Sequence, residues 1–159
     1  MNAIITGIFT LLGVILGIWL ERHFHEKATR KRLFNALFEE IELNILITKE
    51  TQKTYRNPEW TIFDLSPLYT LGYQNIRASG ELAILSRDTL VLLENTYEMI
   101  YAHNRQITTI LRDTGILIRE RGLKERIENL EKNLTKLKRN FLKELKFLKA
   151  KNQCQAPNW

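Results

Sequence analysis

Residues 3–20 read AIITGIFTLLGVILGIWL, the longest uncharged stretch of the chain. These eighteen residues include no proline, and their most polar side chains are Thr6 and Thr10. At about 1.5 Å per residue, a helix of this length measures roughly 27 Å, close to the hydrocarbon thickness of a bilayer. The stretch therefore predicts a transmembrane helix, with residues 1–21 as a membrane anchor.

The flanks of this stretch predict its orientation. No basic side chain precedes it, whereas five follow shortly after it: Arg22, Lys27, Arg30, Lys31 and Arg32. By the positive-inside rule, we expect the N-terminus outside and the remainder in the cytoplasm, at the inner (cytoplasmic) membrane. Two alternatives stay open. One is a cleaved signal peptide, which is disfavoured because a basic n-region and a cleavage site are both missing. The other is a helix buried in a larger soluble assembly.

Small side chains recur along the predicted span at intervals of three and four residues, which places them on one stripe of the helix. They are Ala3, Thr6, Thr10, Gly13 and Gly17. Such a stripe lets two helix backbones approach closely in lipid, and residues 13–17 form a G-x-x-x-G pattern. The stripe predicts self-association or docking on another transmembrane helix, although small residues are also common in single spans.

The rest of the chain predicts an all-α domain. The protein has 159 residues, a formal net charge of +6 and one cysteine, Cys154, so nothing in it requires an oxidising compartment. Glycine and proline are absent from three long windows, which is typical of long helices. The predicted order is anchor 1–21, cytoplasmic bundle 22–152 with helices at about 22–56, 67–78, 87–114 and 117–151, and tail 153–159. The helix that starts at residue 22 is expected to continue directly from the anchor helix. The cytoplasmic domain is predicted to be an antiparallel bundle of three to four helices with coiled-coil-like seams.

A connector with prolines, glycines and aromatic side chains separates the first two long helices. Ser66 followed by Pro67 is typical of a helix N-cap and its first residue, and Ser79 with Gly80 is typical of a helix end. We expect this connector to cover one end of the bundle.

Apolar residues recur at heptad spacing in the last two helices. The seam of the first of these is Leu90, Leu93, Tyr97, Ile100, Asn104, Ile107 and Leu111, with Ser86 as the expected N-cap. Asn104 is its one polar member, and Asn44 holds a comparable place in the first helix. Buried asparagines in such seams commonly fix register, and these two could pair if their helices are neighbours. The seam of the last helix is Leu123, Ile127, Leu130, Leu134, Leu137 and Phe141.

The end of the last helix is strongly basic. Its cations, which we call the basic face, are Lys136, Lys138, Arg139, Lys143, Lys146, Lys149 and Lys151, against the single acid Glu144. Such a face could bind nucleic acid, contact anionic lipid or remain solvated.

No catalytic or cofactor pattern is present: the sequence has no P-loop, no dinucleotide-binding glycine motif, no H-E-x-x-H and no cysteine pair. His23 and His25 point in different directions on a helix, so they do not predict a metal site. We expect no enzyme activity, no cofactor, no metal and no small-molecule substrate.

The segments Glu40-Ile41-Glu42-Leu43-Asn44 and Tyr97-Glu98-Met99-Ile100, with Asn104 after them, resemble a loose group of uncharacterised prokaryotic proteins. These proteins have one N-terminal membrane helix and a cytoplasmic helical domain. The resemblance covers about residues 5–110. It implies a membrane-tethered helical domain, sometimes encoded near defence or mobile elements, and it carries no active-site residues.

Three functions fit these features. The leading hypothesis is a non-enzymatic, membrane-anchored interaction protein that self-assembles or acts as an accessory subunit of a larger membrane complex. The second is a membrane-tethered nucleic-acid binder that uses the basic face. The third is an oligomeric pore, which would be narrow and mostly apolar because the span offers only two threonine hydroxyls.

Overall fold

The computed structural model describes residues 2–54, 65–112 and 120–154, with side chains described over residues 10–54, 65–109 and 122–146. Every element in this part of the chain is helical, which confirms the predicted all-α class and a helical bundle. The elements are α1 (Asn2–Thr54), α2 (Leu71–Ala78), a short 3-10 helix (Glu81–Ile84), α3 (Arg87–Arg112) and α4 (Glu120–Cys154).

The chain divides into two compact units, Met1–Asn35 and Ala36–Trp159. In the first unit, every side chain from residue 10 to residue 32 is exposed. Within the described residues, no helix combines the length and the apolar character that crossing a bilayer requires. The predicted span begins at Ala3, and the side chains of residues 3–9 lie outside the described part.

Inter-helix hydrogen bonds give the helix directions in the second unit. Gln52 of α1 donates to Glu131 of α4 at 2.7 Å, and Glu42 pairs with Lys138 at the same distance, so α1 and α4 are antiparallel. Arg126 donates to Gln106, and Ser86 binds Glu144, so α3 and α4 are also antiparallel. It follows that α1 and α3 run parallel, and the segment between them must return along the bundle.

The core confirms the predicted seams. All six seam residues of α4 are buried, with at most 1% of each exposed, and four of α3 are buried, namely Leu93, Tyr97, Ile100 and Ile107. From α1, the core receives Leu37, Ile41 and Ile45. Helices of this length derive most of their stability from burying one such apolar face.

The segment after α1 differs from its prediction. Ser66 and Pro67 do not begin a helix: α2 begins at Leu71, with Thr70 as its N-cap residue. The predicted helix end is confirmed, because Ser79 is the C-cap and Gly80 adopts a left-handed φ of 74°. Residues 65–70, which we call the connector, have no regular secondary structure. They run alongside α3 rather than over one end of the bundle, since Leu68 binds Asn104.

Ser86 caps α3 as predicted, because its hydroxyl accepts the backbone N–H of Thr89 at 3.3 Å. The carboxylate of Glu144 in turn accepts the backbone N–H of Ser86 at 3.2 Å and its hydroxyl. Residues 113–119, where the end of α3 and the start of α4 were predicted, lie outside the described part, as do Asn57 and Pro58.

The buried seam of α4 predicts a position-dependent cost of truncation. Leu134 is fully buried and Leu142, two turns further on, is 40% exposed. We expect Leu134→Ala to lower the free energy of unfolding by about 2–5 kcal/mol. Leu142→Ala should cost about 1–1.5 kcal/mol, because this side chain is already 40% exposed and buries correspondingly less apolar surface. Urea unfolding of the full chain in mild detergent measures both, and equal costs would contradict the packing of α4.

Candidate functional site

The connector lies between α1 and α3, where its backbone cannot form the hydrogen bonds of a helix or a sheet. Buried N–H and C=O groups nevertheless need partners. In this protein the partners are side chains of the two flanking helices, and together they form the most developed polar cluster of the described residues.

Two asparagines hold consecutive connector residues from opposite sides. Asn104 accepts the backbone N–H of Leu68 at 2.8 Å and donates to its carbonyl at 2.7 Å. Asn44 accepts the N–H of Tyr69 at 2.8 Å and donates to its carbonyl at 2.9 Å. A carboxamide offers an acceptor and a donor side by side, as the edge of a β-strand does. Each asparagine therefore replaces a neighbouring strand.

This arrangement corrects the suggestion that Asn44 and Asn104 pair with each other. Both are polar residues on the inner faces of their helices, and Asn44 is fully buried. Within the described part, however, each side chain binds the connector and not the other asparagine. They fix the position of the connector between α1 and α3.

Glu40 likewise accepts hydrogen bonds from backbone N–H groups, in this case at the start of α2. Its carboxylate accepts the backbone N–H groups of Gly72, at 2.5 Å, and Tyr73, at 3.1 Å. These are among the N–H groups that a helix leaves unpaired at its N-terminus, and Thr70 makes no side-chain cap bond. A carboxylate here also interacts favourably with the helix dipole. Glu40 of α1 thus caps α2 from a distance of thirty-two residues along the chain.

Gly72 makes this close approach possible. A Cβ at this position would lie 3.1 Å from the carbonyl oxygen of Ala36 and 3.2 Å from both Leu37 Cα and Glu40 Oε2. Two of these neighbours belong to the backbone of α1 and cannot turn aside. A larger residue would therefore push the N-terminus of α2 away from the Glu40 carboxylate.

Tyr97 supplies the third donor to Glu40. Its hydroxyl donates to Oε1 at 2.6 Å, and its ring stacks on that of Tyr73 with centroids 4.1 Å apart. Burial, followed by the charge of Glu40 and the hydrogen bond to it, raises the pKa of Tyr97 well above its ordinary value. Burial also raises the pKa of Tyr73. Both phenols stay protonated at neutral pH, so Tyr97 remains a donor and not a base.

His103 completes the cluster at the other end of the connector. It is 1% exposed, it forms a hydrogen bond with the backbone of Ser66, and its Nδ1 has no partner among the described residues. Burial first, and then the charge of Arg126, lower the pKa of His103 to about 4, while the bond to Ser66 opposes this shift. The ring is neutral at pH 7.

These contacts describe an architectural cluster. The Glu40 carboxylate already receives three donors, and Tyr97 is held protonated. Among the described residues, no group of three His, Cys, Asp or Glu side chains is arranged to hold a metal ion. The sequence pattern pointed to the asparagines but not to Glu40, His103 or Gly72. The available signal was Glu40 itself, a charged residue placed three positions after Leu37 on the inner face of α1.

The other predicted residues lie at the surface or outside the described part. Thr10, Gly13 and Gly17 are exposed, whereas the side chains of Ala3, Thr6, Lys149 and Lys151 are not described. Within the basic face, four cations are exposed, namely Lys136, Arg139, Lys143 and Lys146. Lys138 differs because it pairs with Glu42 and lies 5.8 Å from the centroid of the Phe38 ring.

The chain matches no known protein family, no curated protein and no solved structure. A proposal for its function therefore depends on its own sequence and geometry.

The Glu40 cluster predicts a large difference between two adjacent glutamates. In Glu40→Gln, the amide NH2 would face donors, so at least one buried donor loses its acceptor. We expect the free energy of unfolding to fall by about 1–3 kcal/mol. Glu39 is exposed, and Glu39→Gln should stay within about 0.5 kcal/mol of the parent. Chemical unfolding compares them, and similar values for both variants would argue against the cap.

His103 predicts a loss of stability in acid. The unfolded chain binds a proton on this ring near pH 6.5, whereas the folded chain does so only near pH 4. The free energy of unfolding is therefore unaffected by His103 above pH 6.5 and falls as the pH drops toward 4. The loss attributable to this ring is about 3 kcal/mol.

The measurement is the pH dependence of unfolding in the parent and in His103→Gln, which has no titrating ring. The difference between the two curves should change between pH 6.5 and pH 4 and be constant elsewhere. His25→Gln is the control, because His25 is exposed. A constant difference across this range would show that His103 titrates normally.

Proposed function

We propose that this protein is a membrane-anchored, non-enzymatic interaction protein. In this proposal residues 3–20 cross the inner membrane with the N-terminus outside, and the helical bundle lies in the cytoplasm. The protein either assembles with its own copies or serves as an accessory subunit of a larger membrane complex.

The exposed apolar surface of the first unit carries this proposal. Between residues 11 and 20, eight large apolar side chains are each at least 44% exposed: Leu11, Leu12, Val14, Ile15, Leu16, Ile18, Trp19 and Leu20. They surround the helix except on the face of Gly13 and Gly17, so packing against a single neighbour would cover only part of them. Transfer of each such side chain out of water is favourable by about 1.5–3 kcal/mol, and a bilayer covers all sides at once.

The small side chains of the same helix support a helical partner. A Cβ built on Gly13 or on Gly17 meets nothing within 4 Å, so this chain alone leaves the groove at these glycines open. In lipid, close packing of backbones is a main source of helix association. A second transmembrane helix would fill the groove, whether it comes from another copy or from another subunit.

The buried polar residues support a role without catalysis. The interior carboxylate, phenol and asparagine amides of the second unit are engaged in holding the connector and α2. Their positions serve the fold, and an assembly role for the bundle needs no further chemistry from them.

The glycine groove predicts a specific loss of association. Gly13→Leu with Gly17→Leu should fill the groove and reduce cross-linked dimers or higher species in native membranes by about tenfold, as for about 1–2 kcal/mol of helix packing. The matched control is Val14→Leu with Ile18→Leu, which changes side chains at the same spacing off the stripe. It should cross-link like the parent.

Isolation from native membranes in a gentle detergent supplies the decisive readout, because stoichiometry and co-purifying chains are measured together. A parent chain that stays monomeric and brings no membrane partner would overturn the proposed function. Extraction of the full chain by alkaline carbonate would overturn the anchor.

A further inference from the structure

The outward surface of α4 carries an uninterrupted row of cations. Its members, which we call the basic stripe, are Lys132, Lys136, Arg139, Lys143 and Lys146, all of them exposed. Their spacing of four, three, four and three residues places them on one face of the helix, opposite the buried seam. From first to last they span about 21 Å at 1.5 Å per residue.

The fold removes the opposite charges from this stripe. Glu144 is the one acid among residues 132–146, and its carboxylate is turned toward Ser86. Lys138 lies off the stripe, where it neutralises Glu42. Among the described residues, no salt bridge includes a member of the stripe, although Lys143 shares an open cleft with Asp88 and Glu144. The packing thus leaves five cations free to attract anions.

The helix directions show how the stripe runs along the second unit. Because Gln52 meets Glu131 and Glu42 meets Lys138, α4 runs toward the start of the second unit as its cations accumulate. The second unit begins at Ala36, sixteen residues after the end of the predicted span at Leu20. The stripe therefore runs from Lys132, beside the Glu131 that contacts Gln52, to Lys146, toward the residues with which the second unit begins.

We propose that the basic stripe binds the anionic phospholipid headgroups of the inner leaflet and holds the bundle against the membrane. This inference rests on the proposed membrane anchor. Each cation near such a surface is attracted by about fivefold in binding constant. An anchor that keeps the stripe close to the bilayer raises the effective concentration of headgroups, so individually weak contacts suffice.

The chemistry of the stripe favours lipid over nucleic acid. Four of its five cations are lysines, which act as point charges toward phosphate. Within the described part no aromatic side chain accompanies them for base stacking, since Phe141 is fully buried. A row of point charges suits a fluid surface of phosphates that adapts to its spacing.

The test uses the full chain with Cys154→Ser, reconstituted into vesicles. A fluorophore on Thr135→Cys, an exposed position beside the stripe, reports contact through quenching by nitroxide-labelled headgroups. Phosphatidylcholine vesicles are compared with vesicles containing about one third phosphatidylglycerol. We expect strong quenching only with the anionic lipid, and its loss at about 0.5 M salt. A label on Ala102→Cys, on α3, controls for general proximity.

The matched variants keep the net charge equal. Lys136→Gln, Arg139→Gln and Lys143→Gln together should reduce the lipid-contacting population about a hundredfold. Lys49→Gln, Lys53→Gln and Arg105→Gln remove the same number of exposed cations elsewhere and should leave quenching unchanged. An equal loss of quenching in both sets would contradict lipid binding by the stripe and would indicate an effect of net charge alone.

The remaining outcomes separate the stripe from the anchor. A chain that alkaline carbonate leaves in the vesicles, but whose quenching does not depend on anionic lipid, overturns the stripe alone. A chain that carbonate strips from both kinds of vesicle overturns the anchor and, with it, the assignment to the inner leaflet. If a short DNA duplex binds the stripe with steep salt dependence while anionic lipid gives no quenching, the surface binds nucleic acid and the lipid proposal is wrong.

Discussion

The second unit depends on how the backbone of residues 66–73 is satisfied. This backbone passes between two parallel helices, where its polar groups are partly buried and no strand lies alongside among the described residues. Asn44, Asn104 and Glu40 provide the missing partners through hydrogen bonds of 2.5–3.1 Å. With them the returning segment takes the place of a full helix, and α1, the segment, α3 and α4 alternate in direction as in an up-down bundle.

The same contacts make the fold cooperative. If the connector left its place, Glu40, Asn44 and Asn104 would be left with unpaired polar groups on the inner faces of their helices. Unpaired buried polar groups are costly, and an unpaired buried carboxylate most of all. The interhelical bond between Glu40 and the protonated Tyr97 would also lose the helix cap that orients it. The connector and the long helices therefore stabilise each other as one network.

The sequence predicts those parts of the fold that depend on residues close together in the chain. The seams of α3 and α4 follow from apolar residues at heptad spacing, because burial of one helix face depends on residues three and four apart. The buried residues Leu130, Leu134 and Leu137 agree with that pattern. Ser86 as an N-cap is equally local, since its partner Thr89 is three residues away.

The parts that sequence does not predict depend on distant contacts. Ser66 and Pro67 carry a valid helix-start signal, but the connector backbone binds Asn44 and Asn104, which are twenty-five and thirty-six residues from the positions they hold. Those bonds keep residues 68 and 69 out of a helix. Glu40 was not distinguished from the exposed acids around it, because its role requires the N-terminus of α2 to be placed above it.

The charges on α4 also show what the sequence predicts alone and what requires the packing of the bundle. The sequence alone predicts that the last part of α4 is basic. Only the packing shows which of its charges are neutralised by neighbouring residues. The bond from Ser86 to Glu144 and the pair between Glu42 and Lys138 each remove one charge from the outward face. The first stabilises the start of α3 and the second joins α1 to α4, so contacts that hold the bundle together also leave its outward cations without opposition. Any anionic surface within a Debye length of the stripe, about 8–10 Å, would then interact with one face of α4 and not with the bundle as a whole.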